Sequence, residues 1–102
     1  MAKYTIPIPI NKKAIGAFCK KHHIVFLALF GSVLTPQFCD SSDIDVLVKF
    51  EKKHIPDLFY LVDIESELST ILGRPTDLKT PNDLSPYFRE TVLSNAKIIY
   101  GK

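Results

Sequence analysis

The chain has 102 residues, 46% apolar and 24% charged, which suits one domain around a single core and excludes both disorder and a second domain. Thirteen basic against eleven acidic residues leave a formal charge of +2, too weak a field to indicate a nucleic acid or an anionic membrane as partner. Cys19 and Cys39 form no C-x-x-C pair, and the opening "MAKYTIPIPINKK" lacks the apolar centre of a signal peptide, so a cytoplasmic protein with free thiols is expected.

In "YTIPIPI" apolar residues alternate, but Pro7 and Pro9 restrict residues 1–10 to an extended arm or an edge strand. "NKKAIGAFCKKHH" opens at a cap-like Asn11 and spaces Ile15, Phe18 and Cys19 as a helix does, which predicts a helix ending near His23. "CKKHH" gathers Cys19, His22 and His23, yet no second ligand pair follows at zinc-site spacing. It reads as a buried cysteine followed by a solvated helix end. "IVFLALF" is far shorter than the ~20 residues that cross a bilayer and reads as a strand buried on both faces. A connection rich in turn formers leads to a second strand, "SDIDVLVKF", and "EKKH" at 51 to 54 reads as a solvated turn.

The longest helix is expected in "IPDLFYLVDIESELSTILG", with Leu58, Leu61, Val62, Leu68 and Leu72 along its buried side and Gly73 as its terminator. Its acidic residues, Asp57, Asp63, Glu65 and Glu67, read as an exposed face. "RPTDLKT" is long enough for a third strand, and "SPYFRETVLSNA" for a last helix capped at Ser85 with Pro86 in its first turn. The expected fold class is α/β of the α+β kind: a small mixed sheet with helices packed on it, in one domain spanning 1–102.

The chemistry concentrates in "LFGSVLTPQFCDSSDIDVLVKF". Side chains alternate along a strand, so Asp43, Asp45, Leu47 and Lys49 share one face while Ile44, Val46, Val48 and Phe50 share the other. Two carboxylates at i and i+2 repel unless a cation lies between them, and oxygen ligands plus phosphate are the habit of magnesium. Gly31 permits a tight turn with close backbone approach, and the Ser32 hydroxyl can donate to phosphate. On average composition an isolated D-x-D arises in roughly four of ten chains this long; Gly-Ser, a gap and Ser-Asp-x-Asp together arise in on the order of one in ten thousand. The combination therefore carries weight that the aspartates alone do not.

These two halves, "LFGS" and "SSDIDVLV", resemble the signature of the nucleotidyltransferase superfamily that includes DNA polymerase beta. The length is similar to that of its minimal nucleotidyltransferases, which are often encoded beside a HEPN-domain protein and in some cases act as antitoxins. The likeness runs from "FLALFGS" through "DIDVLVKF" and "LGRPTDLKT" to "AKIIYGK". It implies a magnesium-dependent transfer of a nucleoside monophosphate, AMP from ATP or the equivalent from another nucleoside triphosphate, onto a hydroxyl. Asp43, Asp45 and Asp77 would be the catalytic carboxylates and the metal ligands, with two magnesium ions present when nucleotide is bound. Gly31, Ser32 and Ser42 would hold phosphate.

The family commonly carries arginines just after the Gly-Ser, where this chain has Val33, Leu34, Thr35 and Pro36. Lys79 and Arg74 are the replacement cations that the sequence offers. The resemblance further implies a HEPN-type toxin as partner and acceptor, neutralised by nucleotidylation or, alternatively, by binding alone if catalysis is weak or lost. Neither a membrane nor direct nucleic-acid binding is indicated, and self-association stays open.

Overall fold

The computed structural model describes residues 8, 10–35 and 43–101. Helix α1 (Lys12–Lys21) starts where the Asn11 side chain accepts the Ala14 N–H at 3.1 Å, the capping expected of that residue type. It buries Ile15, Phe18 and Cys19, and burial pushes the Cys19 thiol up to about 12. His23, at φ +58°, turns the chain into strand β1 (Ile24–Phe30). A short 3-10 turn over Gly31–Leu34 follows β1.

Strand β2 (Ile44–Phe50) runs antiparallel to β1, and β3 (Thr76–Lys79) lies parallel to β2 on its far side. A parallel neighbour cannot be reached by a hairpin, and helix α2 (Leu58–Leu72) supplies the crossover. Asp57 caps α2 by accepting the Tyr60 N–H at 2.8 Å, and Gly73 ends it at φ +75°. Helix α3 (Pro86–Asn95) begins at Ser85 and leads to strand β4 (Lys97–Tyr100), antiparallel to β1. The order across the sheet is β3-β2-β1-β4, a small mixed sheet with helices packed on it, as the patterning predicts.

One face of the sheet carries the main core: Leu27 and Leu29 of β1 and Ile44, Val46 and Val48 of β2 pack with Ile15 and Phe18 of α1 and with Ile64, Leu68 and Leu72 of α2. The other face holds a smaller cluster of Phe26, Ala28 and Leu47, flanked by Phe30 and by Leu84 and Ala96 at the two ends of α3. That second cluster explains why "IVFLALF" lacks polar residues: both of its faces are covered.

Three expectations need correction. The strand β4 was absent from the expected element order, because "KIIY" is short and follows a helix without a turn signature. Leu58 and Val62 are exposed at 73% and 57%, and Ile64 is buried instead. A helix advances 100° per residue, so 61, 64, 68 and 72 share a face from which 62 is turned away, while Leu58 sits in the first turn, beyond the sheet. Glu65 and Glu67 are not simply solvated. Glu65 Oε2 accepts the Leu78 N–H at 2.8 Å, tying α2 to the outer edge of β3, and Glu67 Oε1 bonds the buried His22 ring at 3.0 Å and Lys21 at 3.2 Å. The proposed arm is outside the described residues except for Ile8, which is buried, and Ile10, which packs against the core.

Candidate functional site

The sheet register assembles the site. Asp45 lies opposite Phe30 of β1 on one side and Asp77 of β3 on the other, so two carboxylates from distant parts of the chain meet on neighbouring strands about 4.8 Å apart. Asp43, exposed, stands one residue before β2. Leu47, next on the same face, is fully buried by the second cluster. The carboxylates therefore sit at the rim of that apolar patch, where the end of β1 and the start of β2 emerge.

Gly31 lies against this rim with φ +78°, and a Cβ built there would run into the Asp45 carboxylate. Glycine is required twice over, for the left-handed backbone and for the space. Val33, fully buried, anchors the turn in the core, and Thr35 closes it by donating its N–H and its hydroxyl to the Ser32 carbonyl at 2.9 and 2.8 Å. The position that carries an arginine in the resembling family is here used for packing.

Charge crowding is evident at Asp45. Burial is the largest cause that raises its carboxyl above the ordinary carboxylate value, the negative charge of Asp77 adds to it, Lys79 opposes it, and Asp43 raises it further. Asp45 thus feels both neighbours, although the oxygens of the three groups are not all drawn within 4.8 Å of each other. Like charges without a shared cation have no reason to close further. Lys79 Nζ lies 3.3 Å from Asp77 Oδ2, with both side chains substantially exposed. It stands on the same strand face as Asp77, as the spacing predicts. Arg74 lies in the loop before β3 and is partly buried. Ser42 lies outside the described residues.

Beside Gly31 opens a cleft of about 640 Å³ lined by Phe30, Gly31, Leu34, Thr35, Thr91, Val92 and Asn95. That volume is in the range of small-molecule sites. Thr91, Val92 and Asn95 come from α3, which no motif marks; only their helical spacing shows that they share one side.

This arrangement joins a glycine turn to acidic side chains on adjacent strands, and the comparisons with known proteins agree on one family. The family described as "Polymerase beta, Nucleotidyltransferase" matches residues 12–102. A Methanocaldococcus jannaschii protein named "Putative protein adenylyltransferase MJ0435" is 34% identical over 86 residues, covering 83% of this chain and 89% of that protein. The solved "Structure of putative minimal nucleotidyltransferase" superposes with a TM-score of 0.68 at 32% identity, over 83% of this chain and 85% of the other. A chain from the complex of a tri-AMPylated Shewanella oneidensis HEPN toxin with an MNT antitoxin has the same fold, at TM-score 0.63 and 20% identity over 89% and 70% of the two chains.

Proposed function

The chain belongs to the polymerase beta nucleotidyltransferase family, and from that premise we propose that it is a magnesium-dependent protein adenylyltransferase acting on a HEPN-type toxin as antitoxin. The observation that carries this reading is the register that sets Asp45 beside Asp77, with Gly31 packed on the Asp45 carboxylate. The name of the Methanocaldococcus relative and the AMPylated toxin of the Shewanella complex support AMP as the transferred group and a protein as its acceptor.

Asp43, Asp45 and Asp77 are the residues that would hold magnesium. They fit it: the donors are all carboxylate oxygens, and the Asp45 carboxyl, raised first by burial and then by the charges of Asp77 and Asp43, is one that a nearby cation would stabilise in its charged form. When bound, magnesium supplies charge that neutralises the triphosphate and favours loss of a proton from the acceptor hydroxyl.

Within that frame the chain's own residues orient the reactants. Gly31 lets the backbone approach the phosphates, and the Ser32 hydroxyl donates to a phosphate oxygen. The acceptor oxygen attacks the α-phosphorus, a new P–O bond forms, the bond to the β-phosphate oxygen breaks, and pyrophosphate leaves. Asp77, on the outer strand and exposed to the acceptor, takes the hydroxyl proton and passes it to water. Lys79 and Arg74 lie on and just before β3, where they supply the positive charge that residues 33 to 35 do not.

A second reading is favoured by that same stretch: with Val33 committed to the core, the protein can retain the fold and neutralise its partner by occlusion alone. Incubation with α-labelled ATP, magnesium and a HEPN-type toxin separates the two. Transfer of label to a hydroxyl of that protein, lost in Asp45→Asn, is the expected outcome. Tight complex formation without label transfer would leave only the occluding role.

A further inference from the structure

The geometry points to a second metal site, specific for a divalent transition ion of the zinc class, formed by His23, Glu51 and His54. It lies at the opposite end of the β1–β2 ladder from the aspartates. Neither "CKKHH", which reads as a buried cysteine and a solvated helix end, nor "EKKH", which reads as a solvated turn, has a zinc motif's spacing. Antiparallel pairing brings them together: the Glu51 N–H donates to the His23 carbonyl at 2.9 Å, and His54 follows one 3-10 turn later, its N–H donating to the Glu51 carbonyl at 2.9 Å.

The side chains converge as the backbones do. His23 Nδ1 is 3.1 Å from Glu51 Oε2, and His54 Nε2 is 3.8 Å from the same oxygen. One ligand atom from each residue falls within 4.8 Å of both others, and among the described residues this is the set that meets that condition. Two ligands bound tetrahedrally at ~2.0–2.1 Å are about 3.3 Å apart, so the observed separations bracket what a zinc ion requires. The two imidazoles are stacked, with centroids 3.6 Å apart and planes at 8°, so their in-plane lone pairs run side by side, and one ring must rotate out of the stack about its side-chain torsions to aim at the same ion. All three side chains are about half exposed, which leaves them free to do so.

Two imidazole nitrogens and one carboxylate favour zinc, nickel or copper over magnesium, whose ligands are oxygens. Three protein ligands leave a coordination position for water or for a residue of a bound partner. His23 takes the left-handed backbone at φ +58° as the chain leaves α1, a state that histidine enters more readily than most non-glycine residues. Cys19, although it lines the same shallow hollow as His23 and Glu51, is fully buried and does not belong to the converging set of ligand atoms. Asp45 and Glu51 are six residue steps apart along β2 and its end, about 20 Å at 3.3 Å per step, so the two centres load independently.

Titration of the chelator-stripped protein with zinc chloride, followed by calorimetry, tests the assignment. One zinc ion per chain is expected, with affinity reduced about tenfold or more in His54→Gln and in Glu51→Gln, and unchanged in Asp45→Asn and Cys39→Ser. His23→Asn, which tolerates the left-handed backbone, should lose affinity similarly. Cobalt in place of zinc should give the visible absorption of a four-coordinate site. Zinc binding that survives His23→Asn combined with His54→Gln, or that is lost in Asp45→Asn or Cys39→Ser, would overturn the site. So would the absence of binding in the wild-type protein.

Discussion

Asp45 decides how the protein responds to pH and to metal. Its folded-state carboxyl is raised by burial and by Asp77 and Asp43, so the native state binds this proton more readily than the unfolded chain does. The contribution of this group to stability is therefore greatest below the ordinary carboxylate range and falls as pH rises through the raised value. In chelator, the melting temperature of Asp45→Asn should exceed that of the wild type by a few degrees at neutral pH, the scale on which about 1 kcal/mol moves a domain this small. The gap should narrow on acidification. Magnesium at ten times its Kd should stabilise the wild type by about 1.4 kcal/mol and the variant much less. An Asp45→Asn protein that melts lower than wild type in chelator would argue for a turn cap instead of a metal ligand.

A second prediction at this scale concerns Gly31. Gly31→Ala places a methyl group into the Asp45 carboxylate and strains the backbone at φ +78°, and should cost about 1–3 kcal/mol while abolishing transfer. Urea melts and the label-transfer assay report the two effects separately. The Gly-Ser and D-x-D residues were legible in sequence because alternation fixes which side chains share a strand face. Asp77 could be singled out by resemblance, but its pairing with Asp45 could not be read, since strand neighbours in a parallel pair are set by a crossover and not by a turn.

Among the elements, α2 holds the site in place from behind. Glu65 satisfies the Leu78 N–H at the open side of β3, one residue from Asp77 and one from Lys79. Glu65→Ala leaves that donor unpaired and should cost about 1–3 kcal/mol, with a larger loss in transfer rate than in complex formation, which a stopped assay and a pull-down distinguish. Leu68→Ala, at the centre of the α2 face, should cost about 2–5 kcal/mol by leaving a cavity. Caps and breakers were readable at Asn11, Gly73 and Ser85, which bound their helices where their chemistry says they should, whereas Asp57, read as part of an exposed acidic face, is the cap of α2. The helix face was misjudged because Leu58 and Val62 are as apolar as Ile64, and only the extent of the sheet determines which of them finds cover. Strand β4 was missed for a related reason: four residues carry too little periodicity to announce a strand, and β1 supplies the missing information.

For the whole molecule, small size directs the chemistry outward. Among the described residues one four-stranded sheet carries Asp77 on its edge strand, and on the proposed reading the partner completes the reaction chamber there. Transfer to a free short peptide bearing the acceptor hydroxyl should then be about a hundredfold or more slower than transfer to the folded partner, the cost of lost orientation. Comparable rates, read from label incorporation at matched concentrations, would show that the chain positions the acceptor unaided. Composition could indicate one domain but not this incompleteness, which follows from where the sheet ends.

Cys19 offers a clock. Its thiol is fully buried and kept protonated, so an alkylating reagent meets no thiolate until α1 lifts from the sheet. In a Cys39→Ser background, the labelling rate then reports how often the core opens: at low reagent it follows the equilibrium between closed and open forms, and at high reagent it saturates at the opening rate. A ligand that acts only on the rim should slow the first regime by its share of binding energy, whereas a partner that merely covers the surface without tightening the core should leave the plateau where it was.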